Sequence, residues 1–128
     1  MMRKVQVVVA ILIHCALLVG NAWAHAFLSS AVPAVGSSVA TGPKELRLNF
    51  SETVEVKFSS VKVTWEGGKD IGPTKIFTDP SNPEMIFVRF PTPLSPGTYL
   101  VRWRVVSADT HKTQGDYRFT VKQLRPKL

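Results

Sequence analysis

The chain has 128 residues and carries 16 lysines and arginines against 9 acids, a formal charge of +7; its one cysteine, Cys15, excludes an internal disulfide and a thiolate metal cluster. The length is that of one domain. Because no run of clustered basic residues with interleaved aromatics accompanies the positive excess, it describes a basic solvated surface rather than a nucleic-acid binder.

The first 24 residues read as a secretory signal. Arg3 and Lys4 give the positive start, Val5 to Val19 an apolar run, and Ala22-Trp23-Ala24 a small-residue cleavage box. The apolar run falls short of the roughly 20 residues that a membrane-spanning helix needs, so it targets the chain and does not anchor it. Cleavage after Ala24 would remove Cys15 and make His25 the first residue of a mature domain covering 25–128. A bacterial-looking signal of this kind sends the domain to the periplasm.

Beyond it, His25 to Leu28 begins a short extended segment that Pro33 and Gly36 end. Glu45 to Phe50 alternates, with Leu46, Leu48 and Phe50 on one face, and predicts a half-buried strand. Phe58 to Trp65 continues the pattern through Val61, Val63 and Trp65, and Glu66-Gly67-Gly68-Lys69 reads as a turn. From Asp70 to Glu84, where Pro73, Pro80 and Pro83 fall, the sequence supports at most a short strand around Lys75 to Thr78. Met85 to Phe90 is a strand, followed by Pro91, Pro93 and a Pro96-Gly97 turn. Thr98 to Val106 alternates Tyr99, Val101, Trp103 and Val105 against Leu100, Arg102 and Arg104. Gly115 opens the last strand, which turns Tyr117, Phe119 and Val121 inward, and Gln123 to Leu128 is a frayed tail. About seven short strands without a helical period predict an all-β Greek-key sandwich, with Trp65 and Trp103 as core anchors.

The chemistry concentrates at Asp109 and His111, at the end of the Thr98 strand. In extended backbone, residues two apart leave the same face and can converge on one atom. A mature chain beginning at His25 adds a free α-amine and an imidazole that close a chelate ring within one residue. That amine has a reference pKa of about 7.7–8.0 and yields its proton to a metal near neutral pH. Three nitrogens and one carboxylate oxygen suit tetragonal divalent copper better than tetrahedral zinc. Copper(I), which wants sulfur, finds only Met85 in the mature chain.

His25-Ala26-Phe27-Leu28 with Pro33, Asn49-Phe50-Ser51-Glu52, and Gly97-Thr98-Tyr99 leading through Trp103-Arg104-Val105-Val106-Ser107-Ala108-Asp109-Thr110-His111 to Gly115 resemble the CopC copper-resistance proteins. The resemblance implies an exported cupredoxin-like or immunoglobulin-like β-barrel or sandwich. It implies one copper(II) per chain, held by His25, Asp109 and His111, with Glu52 near the site as an outer residue. The stretch Glu66 to Met85 lacks the methionine-rich loop that some members use for copper(I). The expected role is copper storage, trafficking or resistance without catalysis, the partner being an inner-membrane copper transporter of the CopD type. Two rival readings are a histidine-brace copper monooxygenase and a metal-free immunoglobulin-like interaction module.

Overall fold

The computed structural model describes residues 26–73 and 75–124; the signal segment 1–24 and His25 lie outside these. The described chain forms nine strands: β1 (Leu28–Val32), β2 (Ser38–Val39), β3 (Glu45–Phe50), β4 (Ser60–Trp65), β5 (Lys69–Asp70), β6 (Lys75–Asp79), β7 (Asn82–Arg89), β8 (Gly97–Val106) and β9 (Lys112–Val121). They build a four-stranded sheet in the order β1-β3-β7-β6 and a five-stranded sheet in the order β2-β9-β8-β4-β5. The chain crosses repeatedly from one sheet to the other, so the two sheets enclose a shared core, a β-sandwich as predicted. Among the described residues no helix is long and apolar enough to cross a membrane.

Alternation explains which side chains fill the core. Leu46, Leu48 and Phe50 of β3 are buried, as are Ile86 and Val88 of β7, Val61 and Val63 of β4, and Tyr99, Val101, Trp103 and Val105 of β8. Tyr117, Phe119 and Val121 of β9 complete the inner layer. Removing each such large side chain from water contributes about 1.5–3 kcal/mol. Gly115, paired with Trp103 across β8 and β9, serves this packing. A Cβ on Gly115 would lie 2.5 Å from the Trp103 ring, so the glycine leaves the space that the indole occupies.

The structure corrects several sequence expectations. Two additional strands, β2 and β5, are two residues long, too short for any periodicity to show. Phe58 does not belong to β4; it ends a 3-10 turn, Val56–Phe58, and stands 74% exposed. Trp65 is only partly buried and packs at the edge of the core, its indole N–H donating to the Pro96 carbonyl at 3.1 Å. Strand β9 opens at Lys112, three residues before Gly115, because β8 carries its pairing to the end, through Val106 and Lys112. The proline-rich stretch holds a full hairpin, β6 and β7. Pro83 falls where β3, which pairs with β7 only from Met85 onward, has not yet begun its ladder, and where the β6–β7 register shifts between Phe77 and Asp79.

Candidate metal centre

The link between the two longest strands is a tight turn. The Thr110 N–H donates to the Ser107 carbonyl at 2.8 Å, and the Ser107 N–H donates to the His111 carbonyl at 2.9 Å. Thr110 has φ 72°, the left-handed conformation that follows the turn in a three-residue hairpin loop. A second segment braces the turn from the side. Val54 bridges Ser107, the Ala108 N–H donates to the Thr53 carbonyl at 3.0 Å, and the Glu55 N–H donates to the Val106 carbonyl at 2.8 Å. Asp109 and His111 therefore meet on a folded-back turn instead of along an extended strand.

Within the turn, Asp109 Oδ2 lies 2.9 Å from His111 Nδ1. Its other oxygen accepts from the Ser107 hydroxyl and, at 3.4 Å, from the His111 N–H. These donors, Ser107 first and His111 second, hold the Asp109 carboxyl well below its ordinary 3.8, at about 2. An ionised carboxylate only accepts, so the hydrogen between the two side chains sits on Nδ1. That tautomer puts the basic lone pair of a neutral ring on Nε2. The side chains of His111 and Asp109 are 48% and 43% exposed, open enough for an ion to reach them. A carboxylate oxygen and an imidazole nitrogen 2.9 Å apart are also close enough for one ion to take the place of the hydrogen between them.

The other candidate donors are placed less completely. His25 falls outside the described residues. Its neighbour Ala26 is 1% exposed, and its carbonyl accepts from the Thr113 hydroxyl at 2.7 Å, two residues along β9 from His111. Phe27 is held on both sides by Ser51, which accepts from the Phe27 N–H at 3.0 Å and donates its own N–H to the Phe27 carbonyl at 2.9 Å. Glu52 is half-buried in the segment that braces the turn. Among the described residues, no three of His, Cys, Asp and Glu cluster as a complete metal site. Asp109 and His111 are the pair that the fold brings together, and their chemistry, an oriented imidazole beside an anion, fits a divalent ion of the copper type.

Three residues of this region escape a search for donors. Among the described residues Ser107 alone is a buried polar or charged side chain outside the aromatics, at 0% exposure, and its hydroxyl donates to the Asp109 carboxylate. Its signal was present: Ser107 continues the inward register of Tyr99, Val101, Trp103 and Val105, where a bulky apolar residue is expected. Thr113 and Ser51 anchor Ala26 and Phe27 over long sequence separations, and no local pattern announces such contacts.

Residues 28–122 match the CopC domain. The chain is 38% identical to the YobA protein of Escherichia coli K12 over 120 residues, spanning 94% of this chain and 96% of that one. Among solved structures, it is similar to CopC from Methylosinus trichosporium OB3b, with a TM-score of 0.73 and 31% identity over 81% of this chain and all of that one. It is also similar to PcoC, a methionine-rich copper resistance protein from Escherichia coli, with a TM-score of 0.69 and 41% identity over 77% of this chain and all of that one. A matched domain that runs from β1 to the end of β9, two sheets of the same architecture, and the Asp109–His111 turn at one end of them lead to one assignment: the chain belongs to the CopC family.

Proposed function

We propose that this protein is a periplasmic copper(II) carrier, acting in copper storage, trafficking or resistance, that binds one ion through the amine and imidazole of His25, the imidazole of His111 and the Asp109 carboxylate, the ion taking the place of the hydrogen between Asp109 Oδ2 and His111 Nδ1. The observation that carries this reading is the Ser107–His111 turn, where a buried hydroxyl fixes the acid and the acid fixes the ring. The anchor on Ala26 supports it further. The Ala26 carbonyl, held by the Thr113 hydroxyl at 2.7 Å, lies beside the strand that begins after His111. Glu52, in the bracing segment, adds outer negative charge and is not itself a donor.

The role is binding and release, without bond-making chemistry. The similarity to a copper resistance protein favours copper over other divalent ions, and divalent copper also tops their affinity order. After the signal, Met85 is the sole methionine and no cysteine remains, so the reduced ion finds no set of sulfur ligands. Reduction then favours release, and an inner-membrane copper transporter of the CopD type is the exchange partner.

The deciding experiment is a copper(II) titration of protein that begins at His25, beside a form extended by one residue, followed by paramagnetic resonance for nitrogen coupling. Tight binding in the first and its loss in the second is the expected result. Equal affinities and spectra would remove His25 from the site.

A further inference from the structure

The outward positions of β4, β8 and β9 form one basic surface. Across the register, Lys62 pairs with Arg102 and Arg102 with Asp116; Ser60 pairs with Arg104 and Arg104 with Gln114; Val106 pairs with Lys112. Lys62, Arg102, Arg104, Lys112 and Arg118 are all exposed, and none makes an ion pair among the described residues. Asp116 is the one carboxylate on these outward positions, with Asp70 at the far edge on β5. The opposite sheet treats its cations differently. There Glu45 accepts from both Arg47 and Arg89, while Arg89 and Lys75 lie over the Phe77 ring and Arg47 over Phe87.

This surface is also concave. A hollow of about 570 Å³ between Lys62, Arg102 and Asp116 adjoins one of about 520 Å³ beside Phe58 and Lys112, and the two share Ser60, Arg104 and Gln114. The groove follows β8 from Arg102 to Val106, about 13 Å at the rise of a strand. It ends at Lys112, the residue after His111. Arg102 and Arg104 stand two positions apart on one strand, the spacing of acids at alternate positions of an extended peptide.

We propose that this groove docks an extended acidic segment, with acids at alternate residues, of the protein that exchanges copper with this one. The identity of that partner as the copper donor or acceptor rests on the carrier reading above; the groove and its charge do not. A hollow with a lone exposed aromatic, Phe58, at its rim matches a peptide better than a flat bilayer, which cannot fill a concavity. Opposed charges mainly steer encounter and set register, so the contact is salt-sensitive and exchangeable, as a transfer complex requires.

The test uses the chain from His25 to Leu128, copper-free and copper-loaded. The probes are a short dye-labelled peptide of alternating glutamate and serine, a lysine-for-glutamate twin, and phosphatidylglycerol-containing vesicles. The alternating acidic peptide should bind, with amide shifts confined to β4, β8 and β9. Binding should weaken about tenfold in Arg102→Glu/Arg104→Glu and less than about twofold in Lys75→Glu/Arg89→Glu, which changes the charge equally on the opposite sheet. If the first variant does not fold, Arg102→Gln/Arg104→Gln should show the same order. Absence of peptide binding, equal loss in both double variants, or binding to vesicles without the peptide would each overturn the proposal. Copper(II) titration of the same samples separates the two readings: a wild-type protein that binds peptide but no copper keeps the groove and loses the carrier.

Discussion

Two hairpin turns of this molecule carry an aspartate that accepts from the residue two positions on, and only one of them looks like a site. Between β6 and β7, Asp79 accepts from the Ser81 N–H at 2.9 Å, and its carboxyl is lowered by Ser81 alone. Between β8 and β9, Asp109 makes the same contact to His111, then adds the His111 ring and the Ser107 hydroxyl, itself fully buried. An acid at a turn is a backbone cap by default. It becomes half of a candidate binding pair when the residue two on is an imidazole and a buried hydroxyl fixes the carboxylate's other oxygen.

The largest effects expected from breaking this contrast are on copper(II) affinity, read by competition with a chromophoric chelator. His111→Ala removes a donor and should cost more than about a hundredfold. Asp109→Asn keeps the shape but loses the anion, which should cost on the order of 10–100-fold. Asp79→Asn, the same substitution in the other hairpin, should leave affinity unchanged. An Asp109→Asn protein with wild-type affinity would reduce Asp109 to a second Asp79.

Next in size is the buried hydroxyl. Ser107→Ala leaves one oxygen of Asp109 without its best donor and should lower unfolding free energy by about 1–2 kcal/mol in denaturant titration. Ser81→Ala, in the exposed hairpin, should stay within about 0.5 kcal/mol of wild type. Smaller still, Thr110→Gly relieves a β-branched residue of its left-handed conformation, for which φ is 72°. A gain of about 0.5–1 kcal/mol is expected, with the glycine's larger unfolded-state entropy already offsetting part of the relief.

The sequence showed the sandwich through alternation alone, since Leu46-Leu48-Phe50 and Tyr99-Val101-Trp103-Val105 can bury their side chains in only one way. It also showed Asp109 and His111, because their chemistry is rare in so plain a chain. What it hid was non-local or brief. The bracing of the turn by Thr53 and Glu55 joins segments some fifty residues apart, and the clamps of Thr113 on Ala26 and of Ser51 on Phe27 are likewise contacts that only the folded sheets create. The strand β2 lies parallel to β9 for two residues, below any pattern's reach. Phe58 stands one position out of phase with Val61, Val63 and Trp65, and its N–H turns back to the Glu55 carbonyl at 3.0 Å instead of joining the sheet.

The smallest effect, and the most direct comparison of the two acids, is in the pH dependence of the copper-free protein. Because the folded carboxyl of Asp109 sits at about 2 against an ordinary 3.8, the folded state binds fewer protons than the unfolded state between those values. Its stabilising contribution is therefore complete above about pH 4 and is lost as pH falls toward 2. The melting-temperature advantage of wild type over Asp109→Asn should shrink through that window. Asp79 is lowered too, so Asp79→Asn should flatten the same limb in the same direction, but less, since Ser81 is its sole source of donors. Exposure to solvent keeps both effects modest. If the two variants flattened the acid limb equally, the ring and the buried hydroxyl would add nothing to the second turn, and the difference between the hairpins would be one of sequence without consequence.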